Sequence, residues 1–225
     1  MIQLLVADPW PLFRQGMRAL IGEVRGIAVV AEAGNCSQLY DVLRTQQRLD
    51  VALVDLDISG TSSIEPLRHA LAMRPALPIL VLSSKGHLEY AVRALKAGAA
   101  GYATKDSTTQ SLIDAIRRLA LGGQYLSSHV AEQVALQWRR GDTGAAPHSV
   151  LSTREFSVFE MLAQGCSGAQ IASALSLSRK TVSTHKTRVL RKMNVTNLAD
   201  LVRYAIEHQF VPGQRTVNFR GILAD

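Results

Sequence analysis

The stretch from Leu175 to Met193, LSLSRKTVSTHKTRVLRKM, holds six lysines and arginines (Arg179, Lys180, Lys186, Arg188, Arg191 and Lys192), one histidine and no acid. Leu175, Leu177, Val182, Val189, Leu190 and Met193 recur at spacings that keep them on one side of a helix starting near Ser178, so that side can rest on a core. The other side carries Arg179, Ser183, Thr184, Lys186, Thr187 and Arg188. Short hydroxyl side chains between long cations suit a helix in a DNA major groove, because cations reach phosphates while small polar groups approach base edges. A basic run alone is more often only a solvated face, so the preceding residues decide.

Upstream, Ser167-Gly-Ala-Gln170 has the S-x-x-Q form of a capping box and opens a short helix with Ile171, Ala172 and Leu175 inward. Ala174 to Ser178 then turns into the basic helix, with Ser178 as N-cap. A short helix, a tight turn and a basic second helix make a helix-turn-helix. Before it, Ser152-Thr-Arg-Glu155 is a second capping box for a helix with Phe156, Phe159, Leu162 and Ala163 on its apolar stripe, ended by Gly165. After it, Asn194 to Asn197 caps a fourth helix carrying Leu198, Leu201, Val202, Ala205 and Ile206. Four helices in about sixty residues can form an independent folding unit.

The N-terminal half alternates strand and helix. Ile2 to Ala7, Ala28 to Ala31, Val51 to Val54, Ile79 to Leu82 and Ala100 to Ala103 are short apolar runs that read as buried parallel strands. Amphipathic stretches near Pro11 to Ile21, Ser37 to Arg48, Ser63 to Met73, Leu88 to Ala97 and Thr109 to Leu121 separate them. This pattern predicts an α/β fold, a flavodoxin-like doubly wound five-stranded parallel sheet, followed by an all-α four-helix domain. In such sheets ligands gather at the carboxyl ends of strands, where Asp8, Asp55, Ser83 and Lys105 fall.

These residues carry two resemblances that point to one family. The segment LSTREFSVFEMLAQGCSGAQIASALSLSRKTVSTHKTRVLRKMNVTN resembles the LuxR-type helix-turn-helix of NarL/FixJ response regulators, departing at Ser157, Gly168-Ala169 and Leu198. VADPWPLFRQGM, DVALVDLDISG, ILVLSS and GAAGYATKD resemble the receiver domain of the same family. The resemblance implies base-edge contacts by Ser183, Thr184 and Thr187 and phosphate contacts by Arg179, Lys180, His185, Lys186 and Arg188, with Lys192 also on the DNA-binding helix. Thr181 reads equally as a helix-start residue or a phosphate contact. In the receiver the resemblance makes Asp55 the phosphoacceptor, Ser83 the pocket hydroxyl, Tyr102 the switch aromatic and Lys105 the lysine that pairs with the phosphoryl group. The implied organisation is a receiver over 1–122, a connecting helix and linker over 123–150, a DNA-binding domain over 151–210 and a tail over 211–225.

The net charge of +7 is unevenly placed: residues 1 to 125 carry a balance of +2 and residues 126 to 225 one of +5, so the surplus lies with the helix-turn-helix. Cys36 and Cys166 lack metal-ligand spacing and read as free buried thiols in a reducing cytoplasm. No apolar run approaches the roughly 20 residues that a membrane span requires, and no signal peptide opens the chain. No Ser-His-Asp, zinc or P-loop constellation accompanies the pocket, so an enzyme is not expected. The expected partners are double-stranded promoter DNA, a second copy of the chain and a sensor histidine kinase or partner regulator, with no membrane.

The receiver departs from its family at the metal site. Receivers supply two adjacent acids after the first strand, whereas here Pro9 follows Asp8. Proline offers neither a carboxylate nor a backbone N–H. Ser59 and Lys85 are further changes beside the pocket. The expectation is that Asp8 and Asp55 bind magnesium weakly or not at all, that Lys85 or Lys105 supplies the positive charge, and that no cofactor is required. Phosphorylation of Asp55 is then weak or dispensable; the alternatives are a conventional switch in which Asp57 assists the metal, or a heterodimerising interaction regulator. Constitutive dimerisation is expected through the receiver or the last helix, at Leu198, Leu201, Ala205 and His208. Gln137-Trp-Arg-Arg140 suggests either packing of Trp138 or a cyclic di-GMP contact. Arg139 to Val150 reads as a flexible linker, and Arg215, Phe219, Arg220, Ile222 and Leu223 as a tail that docks at an undefined place.

Overall fold

The computed structural model describes residues 1–60, 63–84, 88–139 (main chain only from 134), 146–208 and 210–211. The chain divides into two compact units, Met1–Asp142 and Thr143–Asp225.

In the first unit the order is β1 (Ile2–Ala7), α1 (Pro11–Gly22), β2 (Ile27–Ala33), α2 (Cys36–Thr45), β3 (Val51–Asp55), α3 (Glu65–Met73), β4 (Ile79–Ser83), α4 (Leu88–Ala97), β5 (Gly101–Thr104), α5 (Thr109–Ala120), β6 (Tyr125–Leu126) and α6 (Ser128–Arg139). The strands form one parallel sheet in the order β2-β1-β3-β4-β5-β6. Every residue of β3 and β4 is buried, which explains why VALVD and ILVLS are continuous apolar runs rather than alternating ones. Met17 and Ile21 of α1 and Ile113, Ile116 and Leu119 of α5 close over Leu4, Val6, Leu53 and Leu80 on one face. Asn35 and Thr108 accept the backbone N–H of Gln38 and Ser111, fixing where α2 and α5 begin.

The sheet has six strands, not the five expected. Tyr125–Leu126 is too short to give a periodic signal, but it pairs with β5 through Gly101 and Tyr102. A Cβ on Gly101 would lie 2.7 Å from the Tyr125 carbonyl oxygen and 2.9 Å from Leu80 Cδ1, so glycine is what lets the sixth strand approach.

The second unit opens with a 3₁₀ turn, Pro147–Val150, followed by α7 (Thr153–Ala163), α8 (Gly168–Ala174), α9 (Arg179–Lys192) and α10 (Leu198–Glu207). Both capping boxes form, at Ser152/Glu155 and Ser167/Gln170, and Ser178 and Asn197 cap α9 and α10. Three helices stop by one device: Gly165 (φ 82), Ser176 (φ 53) and Asn194 (φ 54) are left-handed. The next residue then returns its N–H to the last turn, in Cys166 to Met161, Leu177 to Ala172 and Val195 to Leu190. Phe156, Phe159, Ile171, Val182, Val189, Leu201, Ala205 and Phe210 make the core.

Three expectations change here. The linker reading over Arg139 to Val150 does not hold at its end, because His148 is fixed by a 2.7 Å hydrogen bond between Nδ1 and the Tyr204 hydroxyl and by packing 4.7 Å from the Phe210 ring. The dimer face expected on the last helix is not free, because Leu201 and Ala205 are fully buried in this unit's own core. A domain this small needs its last apolar stripe for itself. Leu198 and Ile206 are the exposed large apolar residues of α10, and His208, also exposed, stacks on Tyr204 at 4.1 Å. Cys36 and Cys166 are free as expected but half-buried. Residues 140–145 of the linker, residues 212–225 of the tail and Lys85 lie outside the described residues, as do the side chains of Val134, Leu136 and Trp138. Among the described residues, no helix is long and apolar enough to cross a membrane.

Candidate functional site

The parallel sheet brings the carboxyl ends of β1, β3, β4 and β5 together, and with them Asp8, Asp55, Ser83 and Lys105. Asp8 and Asp55 are buried, at 0% and 1% exposure. Lys105 Nζ lies 2.6 Å from Asp8 Oδ2 and is also paired with Asp55 Oδ2, so one ammonium joins both carboxylates. The remaining oxygens are taken by the main chain: Asp8 Oδ1 accepts the Trp10 N–H at 2.8 Å and Asp55 Oδ1 accepts the Asp57 N–H at 2.5 Å. Asp57 is half-buried beside them. The Phe13 ring lies 4.6 Å from Lys105 Nζ, and Arg14 donates to the Asp8 carbonyl at 2.6 Å while facing Glu32 at 3.4 Å. The aromatic and the arginine were missed from sequence; their signal was the PLFR run after Pro9, which puts consecutive α1 side chains over the pocket.

Burial pushes the Asp55 carboxyl up to about 6, against the opposing pull of Lys105 and the Asp57 N–H. Burial alone would lower the Lys105 ammonium, but its bonds to Asp55 and Asp8 outweigh that and hold it above the ordinary lysine value. Tyr102 is fully buried and hydrogen-bonded to Ser83, and burial raises its hydroxyl well above the usual tyrosine range despite that bond. The Tyr102 side chain therefore points into the domain.

Magnesium requires a near-octahedral set of oxygen ligands, with carboxylates offsetting the cost of dehydration. Pro9 contributes no oxygen from its side chain, so Asp8 and Asp55 are left as the two buried carboxylates of the pocket. Among the described residues no group of three or more His, Cys, Asp or Glu side chains is arranged to hold a metal. This donor set fits magnesium poorly.

On α9, Ser178, Arg179, Lys180, Ser183, Thr184, Thr187, Arg188 and Arg191 are exposed, Thr181, His185 and Lys186 half-buried, and Val182 and Val189 buried. The helix therefore presents one continuous strip of hydroxyls and cations. Thr181 belongs to the cap: its N–H and hydroxyl both bond Ser178 Oγ, at 3.0 and 2.8 Å. Lys192, expected with the DNA-facing cations, commits its ammonium inward, 2.6 Å from Glu155 Oε2 and 3.3 Å from the Val150 carbonyl oxygen. Glu155 is buried, and although burial alone would raise its pKa, Lys192 and Ser152 hold the carboxyl below the ordinary glutamate value. Lys192 is a fold residue because the last turn of α9 crosses the start of α7, a pairing 37 residues apart in sequence.

Residues 4–117 match the response regulator receiver domain and residues 149–205 the bacterial regulatory proteins of the luxR family. The chain is 31% identical over 211 residues to the response regulator GacA of Pseudomonas aeruginosa, covering 94% of this chain and 98% of that one. It is 37% identical over 195 residues to the nitrate/nitrite response regulator NarP of Escherichia coli, covering 86% and 89%. Among solved structures, RcsB of Salmonella enterica serovar Typhimurium, bound to promoter rprA in the presence of a phosphomimetic, shares the fold with a TM-score of 0.70 at 23% identity over 90% of this chain and 97% of that one.

Proposed function

The chain belongs to the NarL/FixJ family of two-component response regulators, with a receiver ahead of a luxR-family DNA-binding domain; from that premise we propose that it binds promoter DNA through α9 as a homodimer, and that phosphorylation of Asp55 is weak or dispensable. It works in the cytoplasm, where its DNA lies.

The observation that carries the reading of the receiver is the placement of Lys105 between Asp8 and Asp55, with Pro9 where an acid would complete a metal site. Phosphoryl transfer to a carboxylate brings like charges together and needs a cation that can contact both partners. Here the lysine offsets one of the two carboxylate charges in advance, and without a third carboxylate magnesium binds weakly. The strip of Arg179, Lys180, Ser183, Thr184, Lys186, Thr187 and Arg188 supports the DNA reading, since cations, exposed at 179, 180 and 188 and half-buried at 186, flank short polar groups on one helix face. The homodimer would have to form outside the buried Leu201 and Ala205, and its two-fold symmetry would place the two α9 helices about 34 Å apart, one turn of DNA, and favour palindromic sites.

Two measurements test this. Incubation with a small phosphodonor and magnesium, followed by intact mass, is expected to show little labelling of the wild type. Pro9→Asp, which restores the missing carboxylate, is expected to gain magnesium-dependent labelling that is lost again in Pro9→Asp/Asp55→Asn. Robust metal-dependent labelling of the wild type would overturn the proposal. For DNA, Lys186→Ala/Arg188→Ala is expected to lose affinity for duplex at least tenfold; unchanged binding would remove α9 as the contact surface.

A further inference from the structure

Resting on the α9 reading above, we propose a division of labour among its three hydroxyls: Thr184 and Thr187 read thymines through their methyl groups, while Ser183 is the one that hydrogen-bonds a base edge.

A hydroxyl has one proton to give. Thr184 Oγ1 gives its proton to the Lys180 carbonyl at 3.0 Å, and Thr187 Oγ1 to the Ser183 carbonyl at 3.2 Å. Both side chains are exposed, yet each oxygen is held against its own helix. Threonine is stiff at χ1, so the bond that turns the oxygen toward the helix wall also fixes the methyl group. What an approaching duplex meets is therefore a methyl group and an oxygen that can only accept. Ser183 is exposed too, but its hydroxyl is bonded to nothing among the described residues and is free to donate.

In the major groove, thymine is the base that shows a methyl group, at C5, and apolar contact with a threonine methyl is a recognised way of reading it. Thr184 and Thr187 are three positions apart on a helix, which places their Cβ atoms about 5–6 Å from each other. Base pairs rise about 3.4 Å, so the two thymines fall within two base-pair steps. Long cations at the flanking positions Lys186 and Arg188 fix the helix on phosphates but do not supply this preference.

The test uses the full chain and the tightest duplex recovered from a random library, read by fluorescence anisotropy at fixed salt. Replacing thymine by uracil removes only the C5 methyl. At two positions within two steps, this is expected to weaken binding about fourfold each, the equivalent of one buried methyl group. Thr184→Val and Thr187→Val keep the methyl and lose the hydroxyl, so each is expected to stay within about twofold of wild type and to remain sensitive to uracil. Thr184→Ser and Thr187→Ser keep the hydroxyl and lose the methyl, so each is expected to lose about fourfold and become indifferent to uracil at its own position. Ser183→Ala is expected to weaken binding without altering the response to uracil at either thymine. Valine variants that bind worse than the serine variants, or a duplex insensitive to uracil, overturn the inference. A chain that selects no sequence overturns it as well; steep salt-dependent binding to any duplex would in that case leave the broader DNA-binding reading standing.

Discussion

At the scale of single residues, Glu155 carries more of the DNA-binding unit than its place in a surface-looking motif suggests. Its carboxylate accepts the Ser152 N–H at 2.8 Å and the Lys192 ammonium at 2.6 Å while nearly excluded from water. The lowered folded-state pKa means that this stabilisation is present above the ordinary glutamate value of 4.5 and is lost as pH falls through the folded value, below it. Glu155→Gln is expected to lower stability at neutral pH by about 1–2 kcal/mol, less than for a fully buried pair because Lys192 stays partly solvated. Urea titrations of the full chain from pH 7 downward check it: wild type and variant should differ at pH 7, with the gap unchanged down to the ordinary glutamate value and narrowing only below it. The S-x-x-E spacing made the cap legible from the sequence, since its partners are three residues apart. The role of Lys192 was not legible, because a lysine on a basic helix gives no sign of a carboxylate 37 positions upstream. Leu201 and Ala205 were misassigned for a related reason: helical periodicity finds an apolar face but does not say whether the covering surface is the same chain or a second copy.

At the scale of elements, three helices end on one backbone device using three different residues. Glycine at 165 adopts its left-handed conformation freely, and asparagine at 194 tolerates it, but Ser176, with φ 53, sits in the turn between α8 and α9 without either advantage. Ser176→Gly is therefore expected to stabilise the unit by about 1 kcal/mol, seen as a higher melting temperature without loss of DNA affinity. A drop in melting temperature would mean that the serine holds the turn by something other than its backbone. Gly165 was readable as a helix stop because glycine announces itself, whereas Ser176 was hidden in a run that scans as a cap. The sheet shows the same limit. Five strands were legible as apolar runs four or more residues long, while the two-residue sixth is defined by what it touches, the bare Cα of Gly101.

At the scale of the whole molecule, the basic surplus of residues 126 to 225 acts through salt. Each phosphate contact contributes about −0.9 to the slope of log K against log salt, so the Lys186→Ala/Arg188→Ala double variant should flatten that slope by about 2 per protomer. A variant that loses affinity with its slope unchanged would place the two cations away from phosphates. The charge asymmetry was legible from composition alone, as was the alternation that gave the parallel sheet, because both are sums over many residues. The pocket was half legible: Pro9 showed which ligand was missing, but that one lysine spans both carboxylates depends on side-chain reach no pattern encodes. Lys192 also grips the Val150 carbonyl oxygen, at the point where the connector from the receiver joins the DNA-binding unit. The opening turn of this unit and the last turn of α9 thus hang on one ammonium, so removing it, as in Lys192→Ala, would loosen both ends of the fold at once.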